Sequence, residues 1–130
     1  MGLCKRWLPL SIWVIMIFSL SSIPDVTPGD MKFPVGTDKV VHFSEYAILA
    51  VLFFRGLSYG NRRFRWTLLF ATIATGAALG GLDELYQSYI PGRDSSFFDF
   101  LADIAGITAG SLFAILKNMK MIRKDRLEEV

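Results

Sequence analysis

The chain has 130 residues, of which 52% are hydrophobic and 14% aromatic, and its formal net charge is +2 at pH 7. A mean hydropathy of +0.41 is too high for an ordinary soluble domain, so we predict a single integral membrane domain over residues 1–130. The small net charge excludes a nucleic-acid partner, and the single Cys4 excludes an internal disulfide.

Four apolar segments, separated by proline, glycine and charged residues, are each close to the ~20 residues that cross a bilayer as a helix. They cover residues 7–23, 40–58, 66–89 and 97–116. We therefore predict an all-α bundle of four transmembrane helices. A basic start followed by an apolar run is also typical of a signal peptide. The first run is long and lacks a clean small-residue cleavage motif, so we expect an uncleaved helix.

Basic residues gather at one end of the predicted bundle. Lys5 and Arg6 precede the first segment, a basic turn at residues 61–65 follows the second, and a basic tail at residues 117–130 follows the fourth. The positive-inside rule then predicts that both termini and the tail are cytoplasmic, in a multi-pass protein. The two remaining loops are predicted to face outward.

Each of the last three segments carries polar residues on one face of its outer half. Spacings of three and four residues return to the same side of a helix. The residues that share a face are Asp38, His42 and Glu45 on the second helix, Asp83, Glu84 and Gln87 on the third, and Asp99 and Asp103 on the fourth. At ~1.5 Å per residue, Glu45, Asp83 and Asp103 lie about 10 Å inside their helix ends, so we expect one layer.

Two pairs of glycines predict where the helices approach one another closely. Gly76 and Gly80 lie four residues apart on the third helix, and Gly106 and Gly110 have the same spacing on the fourth. Small residues at this spacing let two helix backbones come together in a membrane.

Carboxylates inside a membrane segment are a functional-site hypothesis, since insertion of each costs about 3 kcal/mol. Helix capping explains Asp38 and Asp99 as well as function does, but it does not explain acids deeper in the segments. The acids outnumber the nearby Lys39, His42 and Arg93, so either several acids stay protonated or a cation binds. The residue types suit Mg²⁺, Mn²⁺ or Zn²⁺, but no spacing is diagnostic. No cofactor is predicted, and a divalent metal stays open.

Two motifs lie within a core motif region at residues 37–110, and they read Asp38-Lys39-x-x-His42-x-x-x-Tyr46 and Asp83-Glu84-x-x-Gln87-x-x-x-Pro91-Gly92-Arg93-x-x-Ser96-x-x-Asp99. Together they resemble the VanZ-like family of small bacterial membrane proteins. The resemblance implies a four-helix protein of the bacterial cytoplasmic membrane, and it links the family's namesake to low-level teicoplanin resistance. The family pattern has an asparagine where this chain has Asp103, which adds a titratable group.

The motifs and the polar faces together supply the candidate site residues. The candidate catalytic residues are Glu84, Asp83 and His42. The candidate binding residues are Asp38, Lys39, Glu45, Tyr46, Gln87, Arg93, Ser96, Asp99 and Asp103.

Three functions are compatible with these residues. The first is an outward-facing acidic pocket that binds or acts on a lipid-linked envelope molecule or a glycopeptide antibiotic. The second is an intramembrane enzyme in which Glu84 or Asp83 is the general acid or base, His42 relays the proton and Arg93 stabilises an anionic group. The third is a proton-coupled carrier, which the uncharged inner halves of the third and fourth helices disfavour. The sequence does not indicate an oligomeric state.

Overall fold

The computed structural model describes residues 3–24, 36–58, 66–93 and 95–128. Within these ranges the protein is all-α, with helices α1 (Leu3–Ser21), α2 (Thr37–Ser58), α3 (Trp66–Gln87) and α4 (Phe97–Glu128). All four helices are long and apolar enough to cross a membrane. The predicted all-α fold class is confirmed, with four helices that have the length and composition to span a membrane. The cytoplasmic placement of both termini stays a prediction.

The helix boundaries follow the predicted segments, with one large difference at the end of the chain. Helix α4 continues without interruption well past residue 116 to Glu128, so the basic tail is helical over its described part. Its sequence contains neither proline nor a further glycine after Gly110, and therefore has no strong helix breaker. The predicted basic turn at residues 61–65 lies outside the described residues.

Helices α2 and α4 make the most extensive contact in the bundle, and glycines allow it. A Cβ atom placed on Gly106 would collide with the backbone carbonyl of Phe43, and one on Gly110 would collide with that of Ala47. The backbone of α2 thus lies directly on the glycine face of α4. The close approach predicted from the Gly106 and Gly110 spacing is confirmed.

The glycine pair of α3 faces side chains of α4 instead of its backbone. A Cβ on Gly76 would lie 2.9 Å from Ile107, and a Cβ on Gly80 would lie 3.0 Å from Asp103 Oδ2. The absence of a side chain at Gly80 therefore leaves room for a carboxylate between α3 and α4.

The apolar core lies beneath a polar end. One cluster contains Ile17, Tyr46, Leu49, Ala50 and Ile107, and a second contains Phe54, Leu69, Ala114 and Ile115. The buried acids lie at the end formed by the carboxyl ends of α1 and α3 and the amino ends of α2 and α4. The fold thus separates an apolar half from a half that buries several ionisable side chains.

Helix α1 lies at the edge of the bundle, against α2 and α3. Only 11% of its apolar window is buried, against 33–44% for the other three helices. Two side chains of α1 form hydrogen bonds to the backbone of α2. Trp13 Nε1 donates to the carbonyl of Glu45 at 2.9 Å, and Arg6 Nε donates to the carbonyl of Gly56 at 2.5 Å.

Candidate functional site

One histidine and two acids from three different helices meet at the polar end of the bundle. His42 Nδ1 of α2 lies 3.0 Å from Asp103 Oδ1 of α4, and it lies 3.8 Å from Glu84 Oε1 of α3. The exposed fractions are 5% for His42, 5% for Glu84 and 0% for Asp103. We call these three residues the buried triad. The structure thus brings one residue from each motif, His42 and Glu84, together with Asp103.

The turn between α3 and α4 holds Glu84 in place. Gly92 has a positive φ of 78° and follows Pro91, and the N–H of Arg93 donates to the carbonyl of Ile90 at 3.1 Å, as in a type II turn. This turn brings Ser96 back over the end of α3, where its backbone N–H donates to Glu84 Oε2 at 2.7 Å. One oxygen of Glu84 is therefore fixed by the backbone, while the other faces His42.

Ser96 also caps the amino end of α4, which begins at Phe97. Its hydroxyl accepts the backbone N–H of Asp99 at 3.4 Å, which is the first half of the capping interaction expected from the Ser96-x-x-Asp99 spacing. The side chain of Asp99 does not complete a simple cap, because it pairs with Lys39 instead. Ser96 therefore both starts a helix and positions a triad residue.

Several buried polar atoms have no hydrogen-bond partner among the residues that the structure describes. They are Tyr46 Oη, Asp83 Oδ1, Glu84 Oε1, Asp103 Oδ2 and Ser111 Oγ. Three of these are carboxylate oxygens at the polar end, and leaving such a group unsatisfied costs about 1–3 kcal/mol or more. Because carboxylate oxygens are acceptors, a matching ligand must bring hydrogen-bond donors or a positive charge.

Asp83 takes part in a second polar contact, directed towards α1. Gln87 Nε2 donates to Asp83 Oδ2 and to Ser21 Oγ, each at 3.2 Å. Ser21 is a buried residue that the sequence reasoning missed, because a serine near the end of an apolar segment has no distinguishing pattern. Gln87 therefore bridges α3 and α1 and is not a direct neighbour of the buried triad in these contacts.

Lys39 joins the amino ends of α2 and α4. Its Nζ lies 2.9 Å from Asp38 Oδ2 and 2.9 Å from Asp99 Oδ1. The side chains of Asp38 and Lys39 are about half exposed, whereas that of Asp99 is nearly buried. These three candidate binding residues therefore form a charged rim at the helix ends, separate from the triad contacts.

The predicted layer of three acids forms only in part. Glu45, Asp83 and Asp103 are all buried, but Asp103 contacts His42 while Asp83 contacts Gln87. Tyr46, one residue after Glu45, is fully buried and belongs to the apolar core. Asp83 and Asp103 therefore share burial but have different polar partners.

Comparison with known proteins identifies the family. The VanZ/LLP1 family model matches residues 5–118, which include most of α1, the buried triad and the α3–α4 turn. The chain belongs to the VanZ/LLP1 family. A similar protein, uncharacterized, occurs in the yeast Schizosaccharomyces pombe. It is 29% identical over 120 residues, which cover 92% of this chain and 70% of the relative. No solved structure matches the chain.

In this VanZ/LLP1 chain Arg93 holds the end of α1. Its Nε donates to the carbonyl of Ile23 and its Nη2 to the carbonyl of Leu20, both at 3.1 Å. Carbonyls at a helix carboxyl end lack partners within the helix, and a cation there also interacts favourably with the helix dipole. Arg93 therefore ties the loosely packed α1 to the turn that positions Glu84.

Replacing Arg93 with alanine is expected to lower the free energy of unfolding by about 1 kcal/mol, because two charge-assisted hydrogen bonds at a partly exposed site are lost. Thermal unfolding of the purified protein in detergent measures this loss. Arg93→Lys should recover part of it, since lysine keeps the charge but not the two-pronged geometry. Arg123→Ala, at the exposed far end of α4, is the matched control. Equal stabilities of Arg93→Ala and Arg123→Ala would contradict the assignment.

Proposed function

We propose that this VanZ/LLP1 protein uses the buried triad to bind or act on a lipid-linked molecule of the cell envelope. The observation that carries the proposal is the pair of buried carboxylate oxygens, Glu84 Oε1 and Asp103 Oδ2, that have no hydrogen-bond partner among the described residues. Ionisable groups in a membrane bundle are costly, and they are retained where they serve a ligand, an ion or a proton.

The charge distribution supports an outward-facing site. The polar end of the bundle is opposite the end that carries Lys5, Lys117 and Lys120. By the positive-inside rule, both termini are cytoplasmic and the triad lies near the outer side of a bacterial cytoplasmic membrane. A molecule anchored in the outer leaflet would reach the triad along the helix ends, past the rim of Asp38, Lys39 and Asp99.

The acceptor atoms define the class of ligand. Hydroxyl, amine or amide groups would donate to Glu84 Oε1 and Asp103 Oδ2, so the ligand is a lipid-linked headgroup rich in such donors, as sugars and peptides are. Because a similar protein also occurs in a yeast, we do not tie the proposal to an antibiotic. The proposed ligand is the lipid-linked molecule, and a teicoplanin-type resistance role is a consequence of altered envelope chemistry.

An intramembrane acid/base enzyme is the second candidate, and the His42–Asp103 contact favours it. A carboxylate at 3.0 Å from Nδ1 orients an imidazole and fixes its tautomer, which prepares the ring for proton transfer. Glu84 Oε1, at 3.8 Å from the same nitrogen, is placed to exchange a proton with it during a reaction. Arg93 does not support this candidate, because its described contacts are with α1 carbonyls.

The proposal is tested by Glu84→Gln, which removes the charge and keeps an acceptor for the Ser96 N–H. Cells that express wild type, Glu84→Gln or the control Glu128→Gln at matched levels are compared by mass spectrometry of envelope lipids and cell-wall precursors. Glu128→Gln is the same substitution at an exposed position at the other end of the protein. We expect at least one lipid-linked species to differ between wild type and Glu84→Gln, and not between wild type and Glu128→Gln.

The kind of difference separates the two candidates. A species whose mass changes, with substrate lost and product gained, indicates catalysis, whereas a species that is only retained with the purified protein indicates binding. Teicoplanin susceptibility of the same strains reports the resistance role. Identical lipid profiles, retained lipids and susceptibility in all three strains would contradict the proposal.

A further inference from the structure

We propose that the buried triad is a binding site for one divalent transition-metal cation, held by His42 Nδ1, Glu84 and Asp103. The possible ligand atoms of the three residues lie within 4.8 Å of one another. For Zn²⁺, with bonds of about 2.1 Å in a tetrahedral arrangement, neighbouring ligand atoms are about 3.4 Å apart. The His42–Asp103 and His42–Glu84 distances of 3.0 and 3.8 Å bracket that value. Small side-chain movements would complete the site.

The unpartnered atoms point to a ligand at this place. Glu84 Oε1 and Asp103 Oδ2 are buried without a hydrogen-bond partner among the described residues, in side chains that are more than nine-tenths buried. Glu84 Oε1 faces the His42 ring at 3.8 Å. Each oxygen has lone pairs that the protein leaves unused, as expected of metal ligands.

The charges of the buried triad favour binding of a dication. Two carboxylates beside one neutral imidazole carry two negative charges, and a dication makes the group neutral. In an apolar bundle, that neutrality removes most of the cost of burying the two acids. Lys39 does not supply this charge through its described contacts, because it pairs with Asp38 and Asp99.

The donor set selects the metal class. One imidazole with two carboxylates suits Zn²⁺ or Mn²⁺, whereas Ca²⁺ prefers six to eight oxygen ligands. Three protein ligands leave a coordination position open, as in catalytic rather than structural zinc sites. The Ser96 N–H on Glu84 Oε2 is the outer hydrogen bond that orients a carboxylate ligand. The inference rests on the same two oxygens as the proposed function, and titration of the purified chain with the metal alone tests it separately from the lipid comparison.

The test is Zn²⁺ binding by the full chain in detergent. Protein stripped with a chelator is titrated with Zn²⁺, and the bound metal is measured after desalting. All proteins carry Cys4→Ser, because the exposed Cys4 thiol is itself a zinc ligand. We expect about one Zn²⁺ per chain, and we expect Glu84→Gln and Asp103→Asn each to weaken binding by about 100-fold or more. Glu128→Gln and Asp125→Asn are the matched controls and should bind like the parent.

Two further readouts make the outcome decisive. Co²⁺ in place of Zn²⁺ should give visible absorption bands that are lost in His42→Gln, and size-exclusion profiles show whether each variant is folded. Stoichiometric binding that survives Glu84→Gln and Asp103→Asn would overturn the proposal. A folded parent that binds no Zn²⁺ or Mn²⁺ at neutral pH would also overturn the proposal. In that case protonation of the acids would explain how they are buried without a cation. Either result leaves the lipid comparison intact as a separate test.

Discussion

Replacing Gly106 with leucine is expected to separate α2 from α4 and to lower the free energy of unfolding by about 3 kcal/mol or more. At Gly106, even a Cβ atom would collide with the backbone carbonyl of Phe43. Backbone atoms inside a helix cannot rotate away as a side chain does, so the helices themselves must move. This contact belongs to the most extensive helix pair in the bundle, so the movement would propagate to His42 and Asp103.

The effect of Gly106→Leu is measured by reversible unfolding in mixed detergent micelles. Ala109→Leu is the matched control, because Ala109 lies on the exposed face of the same helix and receives the same side chain. Gly106→Ala should fall between wild type and leucine. If Gly106→Leu and Ala109→Leu were equally stable, the direct backbone contact between α2 and α4 would be wrong.

The sequence predicts the bundle well because hydropathy and residue type act locally. Segment length and apolar content were sufficient to predict four helices, and the spacing of Gly106 and Gly110 was sufficient to predict a close helix contact. The polar end follows in the same way, since three- and four-residue spacings fix the face on which each acid lies. These features depend only on one helix at a time.

The composition of the site depends on how the helices rotate against one another, which one sequence does not contain. Depth alone grouped Glu45 with Asp83 and Asp103, but in the structure His42 contacts Asp103 and lies 3.8 Å from Glu84. Glu84 is adjacent to Asp83 and turns towards α2 and α4, while Asp83 turns towards Gln87. A helical wheel places both on one broad face and does not separate them.

The contacts of α1 were not predictable for a related reason. Ser21 has no charge or spacing that marks it as a partner of Gln87. Arg93 lies near the acids in the sequence, and its charge predicted that it stabilises an anionic group at the site. In the structure its guanidinium donates to the carbonyls of Leu20 and Ile23. Carbonyls at the carboxyl end of a helix are available as acceptors. They belong to the backbone, so no residue type in the sequence marks them.

Replacing His42 with leucine is expected to lower the free energy of unfolding by about 3 kcal/mol, because Asp103 then loses its partner while it stays buried. Asp103→Leu approximately preserves the shape of the side chain and leaves His42 Nδ1 without its carboxylate partner. In the double variant His42→Leu/Asp103→Leu neither polar group remains. We therefore expect a coupling free energy of about 1–3 kcal/mol between the two positions, with the double variant more stable than the two single changes predict by addition.

The matched cycle uses Ser44→Leu and Thr108→Leu, which are exposed positions on the same two helices, and its coupling should be close to zero. The double variant also separates folding from function. A bundle without the His42–Asp103 pair would be folded, yet it should bind no Zn²⁺ and leave envelope lipids as they are in cells lacking the protein. A coupling free energy near zero would show that the two side chains do not interact. A double variant that still binds Zn²⁺ and alters lipids would show that the buried pair serves the fold and not the activity.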